Sequence, residues 1–149
     1  VKIITTNRRA RHEYQILEEM EAGIVLKGTE VKSLRAGKAS LQDSYANIRD
    51  GELYLHNLHI ASYEAGNRFN HPEKRTRKLL MHRREIDRLD GKIAERGLTL
   101  IPLNLYFADN GYVKVTLGLA KGKKTHDKRH DLAKKDADRE IQRTLRERY

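Results

Sequence analysis

The chain has no cysteine and no tryptophan, only two prolines and two phenylalanines, and no long apolar run. Without cysteine there can be no thiolate zinc site, no catalytic thiol and no disulfide, a composition compatible with a reducing cytoplasm. The longest apolar stretches fall far short of the ~20 residues needed to cross a bilayer, and the first residues lack the apolar core of a secretion signal. A soluble, cytoplasmic protein is expected. The chain opens on Val1 rather than methionine, so a few residues are expected to be missing from its start. Acidic residues are also in deficit, with 21 Asp and Glu against 31 Lys and Arg and a formal charge of +10. That bias attracts phosphate backbones or anionic membrane surfaces before any specific contact forms.

The 149 residues suffice for one modest domain and an appendage. VKIITTNRRARH at the start reads as a surface arm with a basic cluster. Residues 14–20 alternate in the strand manner, Gly23 interrupts, and GIVLKG resumes, which gives two early strands. Thr29 offers an N-cap oxygen, Glu30 sits in the first turn and Gly37 can close a short helix, EVKSLRA. Asp50-Gly51 between alternating segments marks a two-residue hairpin. In HRREIDRLDGKIAERG, Ile86, Leu89 and Ile93 form one apolar stripe, with Gly97 as the stop. A last hairpin turns at Asn110-Gly111, with Ile101, Leu103, Leu105 and Phe107 on one face, answered by Val113, Val115, Leu117 and Leu119. Short antiparallel strands with two inserted helices predict a mainly β fold, a small closed or nearly closed barrel spanning 1–120.

Residues 121–149 differ, carrying 11 Lys and Arg against 6 Asp and Glu. Half the excess charge thus sits in a fifth of the chain. Leu132, Ala133, Ala137, Ile141 and Leu145 recur at helical spacing, but so narrow a stripe predicts a tail that is disordered or frayed until something receives it. LAKGKKTHDKRHD at 119–131 leaves three readings open: a solvated tail, a metal site from His126 and His130, or a segment shaped for polyanion. Lys128 and Arg129 oppose a metal there.

Catalysis finds little support. Glu18, Glu19 and Glu21 could hold Mg²⁺ for a nuclease, yet adjacent strand residues face opposite ways and a solvated strand edge explains them as well. No serine lies in a nucleophile motif, and the GKK at Gly122 lacks the rest of a phosphate-binding loop. Basic groups recur at 8–11, in KRTRK (74–78), at Arg83 and Arg84, and at 121–129. Tyr14, Tyr45, Tyr54, Tyr63, Tyr106 and Tyr112 supply faces for base stacking, or else plug the barrel. Composition favours nucleic acid without saying which.

Longer strings narrow the choice. NRRARHEY (7–14), EAGIVLKGTEVKSLRAGKASLQDSYA (21–46), KRTRKLL (74–80) and LAKGKKTHDKRHD (119–131) closely resemble the SsrA-binding protein (small protein B) family, the partner of transfer-messenger RNA in bacterial ribosome rescue. The resemblance implies an oligonucleotide-binding (OB-type) barrel with inserted helices and a basic C-terminal tail, helical when bound to the ribosome. It implies binding of the tRNA-like domain of transfer-messenger RNA (SsrA RNA) and its delivery to stalled ribosomes for trans-translation, with elongation factor Tu engaged indirectly through the RNA. Neither catalysis nor a cofactor nor a metal is implied. The alternative is a general single-stranded RNA-binding module.

Carried onto matching positions, the implied RNA face includes Asn7, Arg8, Arg11, His12, Glu21, Leu80 and Lys114, with Lys121, Lys123 and Lys124 at the tail's root. Cations would neutralise phosphate, Asn7 and Glu21 would hydrogen-bond base edges or ribose hydroxyls, and Leu80 would meet an unstacked base or else pack beneath a helix. The tail would enter the decoding region of the small-subunit rRNA and the empty mRNA path. There His126 would stack on or bond a base, while Asp127, Lys128 and Arg129 fix the register of the tail helix, Asp127 as its N-cap.

Overall fold

A computed structural model describes residues 1–62 and 72–122. The alternation read between residues 14 and 28 forms one strand, β2 (Tyr14–Ile24), rather than two. Gly23 does not break it. Instead Leu17 is accommodated as a bulge where the register shifts between Ile16 and Glu18, and the pairing with the last strand continues to Gly23. The expected surface arm is likewise built in: β1 (Lys2–Thr6) pairs antiparallel with the Thr99–Phe107 strand, and α1 (Ala10–Glu13) buries Ala10.

Next come α2 (Gly28–Arg35), β3 (Ala39–Ser40), β4 (Tyr45–Arg49), β5 (Glu52–His56), β6 (His59–Ile60), β7 (Arg77–Leu80), α3 (Arg83–Arg96), β8 (Thr99–Phe107) and β9 (Val113–Gly122). The main sheet runs β1-β8-β4-β5-β7-β2-β9, and β9 also pairs with β8. A ring of six antiparallel strands therefore closes. β8 pairs with β9 along its length; β4 and β1 meet it at Leu100 and at Asn104–Phe107 respectively. This is the closed antiparallel barrel with inserted helices that the sequence predicts, and closure removes sheet edges.

The turns follow their sequence signals. Asp50 and Gly51 both take positive φ (52° and 75°) between β4 and β5, and Gly97 ends α3 in the left-handed region. Helix α2, however, starts before Thr29: its N-cap is Lys27, whose amide donates to Glu30 Oε1 at 2.8 Å. Glu30 is thus both part of the cap and a buried charge.

The barrel is filled by leucines, with Leu53, Leu55, Leu58, Leu89, Leu100, Leu105 and Leu117 wholly or almost wholly buried, each worth about 1.5–3 kcal/mol on burial. The alternation along β8 is interrupted. A second bulge, between Pro102 and Asn104, puts Ile101 and Leu103 with Ala10 and Ala120 in a small outer cluster, while Leu105 and Phe107 join the main core. The four residues expected on one face are split between two. None of the described tyrosines belongs to the main core, so they do not plug the barrel.

Glu18 is not on a solvated edge either. It faces α3, where Arg88 donates to it at 2.5 and 3.2 Å and Lys92 at 3.1 Å. Hydrogen bonds from Arg88 and then Lys92 pull its carboxyl down to about 2. Glu30 is held below the ordinary carboxylate range as well: burial alone would raise it, but bonds from Arg75, the Lys27 amide and Arg77 outweigh that. A carboxyl with a depressed folded pKa stabilises above its unfolded value, and that contribution is lost as pH falls through the folded pKa. The thermal midpoint should therefore decline as pH drops from about 4.5 towards about 2, and Glu18→Gln should flatten that decline; a midpoint indifferent to pH across this window would contradict the pairing.

Candidate nucleic-acid interface

Three of the residues singled out from the sequence, far apart in the chain, meet on the outer face of the barrel. Gly23 on β2 is paired with Leu80 on β7 and with Lys114 on β9, and Lys114 in turn with Tyr106 on β8. Directly paired residues share a face, so Leu80, Gly23, Lys114 and Tyr106 form one row across four strands. Glu21, two residues from Gly23, projects on the same side. The row edges a hollow of about 570 Å³, also lined by Met20 and His82.

Each position in the row has a physical reason. A side chain at Gly23 would bring its Cβ to 3.3 Å from Leu80 Cβ, tighter than ordinary packing allows. Its absence keeps the floor low between Leu80 and Lys114. Leu80 is 52% exposed and does not pack beneath a helix, which leaves an apolar surface open to a planar group. Lys114 Nζ lies 3.7 Å from Glu21 Oε1, and the Tyr106 hydroxyl donates to Glu21 Oε2. Burial, and then the bond to Glu21, push the Tyr106 hydroxyl up to about 12, so it remains a donor at neutral pH. Glu21 is thereby fixed by two groups while staying exposed. The row offers, across the three neighbouring strands β7, β2 and β9, a cation for phosphate, a carboxylate for amino or hydroxyl donors, and an apolar plate for a base.

Asn7, Arg8, Arg11 and His12 gather at the other end of β2. Tyr14 and Glu21 are seven residues apart, roughly 20 Å at ~3.3 Å per residue. Asn7 serves the fold, because its amide nitrogen donates to the Leu103 carbonyl at 2.8 Å and its side chain to the Pro102 carbonyl at 3.0 Å, tying the start of α1 to β8. Arg8 and His12 are exposed, and Arg11 pairs with Glu19 at 2.5 Å. Lys121 is exposed on β9 opposite Gln15, so the chain leaves the barrel at this end. Lys123, Lys124, His126, Asp127, Lys128 and Arg129, with the tail helix and Tyr63, lie outside the described residues.

The basic run KRTRK is mostly not an interface. Arg77 is fully buried and donates to Glu30 at 2.7 Å and to the carbonyls of Leu58, Arg75 and Glu73 at 2.5 to 3.2 Å. Arg75 binds the other Glu30 oxygen at 2.5 Å, and Lys78 pairs with Glu52 at 3.2 Å. Lys78 and Leu80 point outward because they alternate with Arg77 and Leu79, the members of β7 that face in. Sequence reasoning missed the roles of Tyr106 and Gly23. A two-residue turn at Asn110-Gly111 would have put Phe107 opposite Lys114; the observed register, with Phe107 against Val113, puts Tyr106 there instead, and nothing local tied β2 to β9.

Comparison with known proteins shows what the whole chain is similar to. The family model described as SmpB protein matches residues 4–147. The SsrA-binding protein of Desulforamulus reducens is 64% identical over 147 residues, covering 99% of this chain and 91% of the relative. That of Carboxydothermus hydrogenoformans is 64% identical over 148 residues, covering 99% of each. A chain from the solved structure described as "tmRNA-SmpB: a journey to the center of the bacterial ribosome" superposes with a TM-score of 0.68 at 60% identity, over 81% of this chain and 85% of that one.

Proposed function

Because this chain belongs to the SmpB protein family, we propose that it binds the tRNA-like domain of transfer-messenger RNA and delivers it to stalled ribosomes in trans-translation. The names of its relatives and the ribosomal setting of the solved one support this reading. The observation that carries it is the Leu80–Gly23–Lys114 row with Glu21 beside it, a set of groups suited to binding RNA rather than to bond-making chemistry. Among the described residues no three His, Asp or Glu gather as a metal site, and no helix is long and apolar enough to cross a membrane. The partners are transfer-messenger RNA and the ribosome, with elongation factor Tu reached through the RNA; the place of action is the cytoplasm.

The two ends of β2 divide the work. The Glu21, Leu80 and Lys114 end holds the RNA, while the end with Arg8, Arg11, His12 and Lys121 leads into residues 121–149, which occupy the decoding region and empty mRNA path as a helix. Glu21→Ala removes a charge-assisted acceptor worth about 1.5–3 kcal/mol, and so should weaken RNA affinity roughly 10- to 150-fold. Lys114→Ala should weaken it less and reduce the salt slope by about 0.7 to 0.9. A titration at fixed salt in which both variants match the parent would remove this face from the interface.

A further inference from the structure

A second feature lies in the cleft at the opposite end of β2, between α1 and the segment from β3 to β4. Tyr45, the first residue of β4, is 42% exposed. On one side its ring is stacked on His56 of β5, with centroids 4.9 Å apart and planes at 22°. Tyr45 also lines a cleft of about 590 Å³ shared with Arg8, Arg9, Tyr14, Glu13 and Asp43.

The stack is held from behind. Asn47 Oδ1 lies 2.8 Å from His56 Nε2 and Thr76 Oγ1 lies 3.2 Å from Nδ1, so Nε2–H donates to Asn47 while Nδ1 accepts the Thr76 hydroxyl. A ring bonded at both nitrogens cannot swing away, and it fixes the plane of Tyr45 above it. The near rim is also tied down, since both the amide and the hydroxyl of Ser44 donate to the Leu41 carbonyl. Asp43 takes φ of 62°, a conformation seldom adopted outside glycine and a few short polar residues, which bends the chain around the cleft. Among the described residues neither Arg8 nor Arg9 has an acidic partner, whereas Arg11 does.

We infer that this cleft binds a single unstacked nucleotide, its base on the free face of Tyr45, its phosphate at Arg8 and Arg9, and its amino or ribose hydroxyl donors at Glu13 or Asp43. The chemistry is that of single-strand recognition: a rigid aromatic plate beside exposed guanidinium groups. The inference rests on the reading of the chain as an RNA-binding rescue factor, and adds a site separate from the Glu21 and Lys114 face. The nucleotide can come from transfer-messenger RNA or from the ribosome, because the cleft lies at the end of the barrel from which the tail departs.

The test compares full-length Tyr45→Leu, which keeps an apolar cover but removes the ring face, with Tyr45→Phe, which keeps it. Affinity is measured for the tRNA-like domain of transfer-messenger RNA and, separately, for purified small ribosomal subunits. Loss of one base stack should weaken one of these by roughly 5- to 150-fold in Tyr45→Leu, with Tyr45→Phe within about threefold of the parent. The arm in which the loss falls identifies the source. Because the leucine variant could disturb β4, the unmodified protein is also crosslinked to RNA carrying 4-thiouridine in each arm, and a crosslink mapped to Tyr45 is expected. Parental affinity of Tyr45→Leu in both arms, equal losses in the two variants, or the absence of a Tyr45 crosslink from both arms would overturn the inference. If Glu21→Ala still weakened binding in that case, the proposed function would stand without the second site.

Discussion

Arg77→Met should lower stability by about 3–5 kcal/mol, a fall of very roughly 10–20 °C in thermal midpoint for a domain of this size, while RNA affinity measured below the new midpoint stays close to the parent's. The guanidinium is wholly buried and joins β7 to α2 through Glu30 and to the carbonyls of Leu58, Arg75 and Glu73. Removing it leaves an acceptor-rich pocket and a buried carboxylate that only Arg75 and the Lys27 amide still serve. Arg77→Lys should rescue little, because a single ammonium cannot reproduce the planar fork that reaches Glu30 and three carbonyls together. Replacing both members, as in Arg77→Met with Glu30→Leu, should recover part of the loss, since the cost arises mainly from the charge left behind. A midpoint near the parent's in Arg77→Met, or a selective loss of RNA binding, would return KRTRK to the interface where its charge alone would place it.

The largest functional effect is expected from the other end of the molecule. Changing Asp127, Lys128 and Arg129 together to alanine should abolish peptide tagging of stalled products while leaving affinity for the tRNA-like domain within a few-fold of the parent. Geometry supports the separation: β9 enters the RNA row at Lys114 and leaves the barrel at Gly122, so the row and the root of the tail lie at opposite ends of one strand pair. On the proposed function, the charge of residues 121–149 favours entry into a site lined with phosphate, with counterion release contributing. Tagging that survived the triple change would show that the tail is not what licenses accommodation, and equal losses of tagging and RNA affinity would show that the two parts are not separable.

Much of the fold could be read from local signals because those signals are local. The positive-φ pair Asp50-Gly51, the stripe Ile86, Leu89 and Ile93, and Gly97 each fix their element through neighbours in the chain. The bulges of β2 and β8 could not be read. Leu17 and Leu103 look like ordinary strand residues, and only the long-range pairing of β2 and β8 with β9 decides that each is accommodated as an extra one. The same holds for charge. KRTRK and Glu18 look solvated until α2 and α3 bring Glu30, Arg88 and Lys92 to them. Glu21, Leu80 and Lys114 were legible only through family resemblance; their meeting across Gly23 is a consequence of closing the barrel, which no short window of sequence contains.

On the proposed function, the barrel recognises one particular RNA by shape and placed contacts rather than any RNA by charge. The most direct measurement is binding of the full chain to labelled tRNA-like domain of transfer-messenger RNA at physiological salt, in competition with a large excess of bulk tRNA. Retention of the labelled RNA against the excess is the expected result. Displacement in simple proportion to the competitor would contradict the account and leave a general cationic RNA binder.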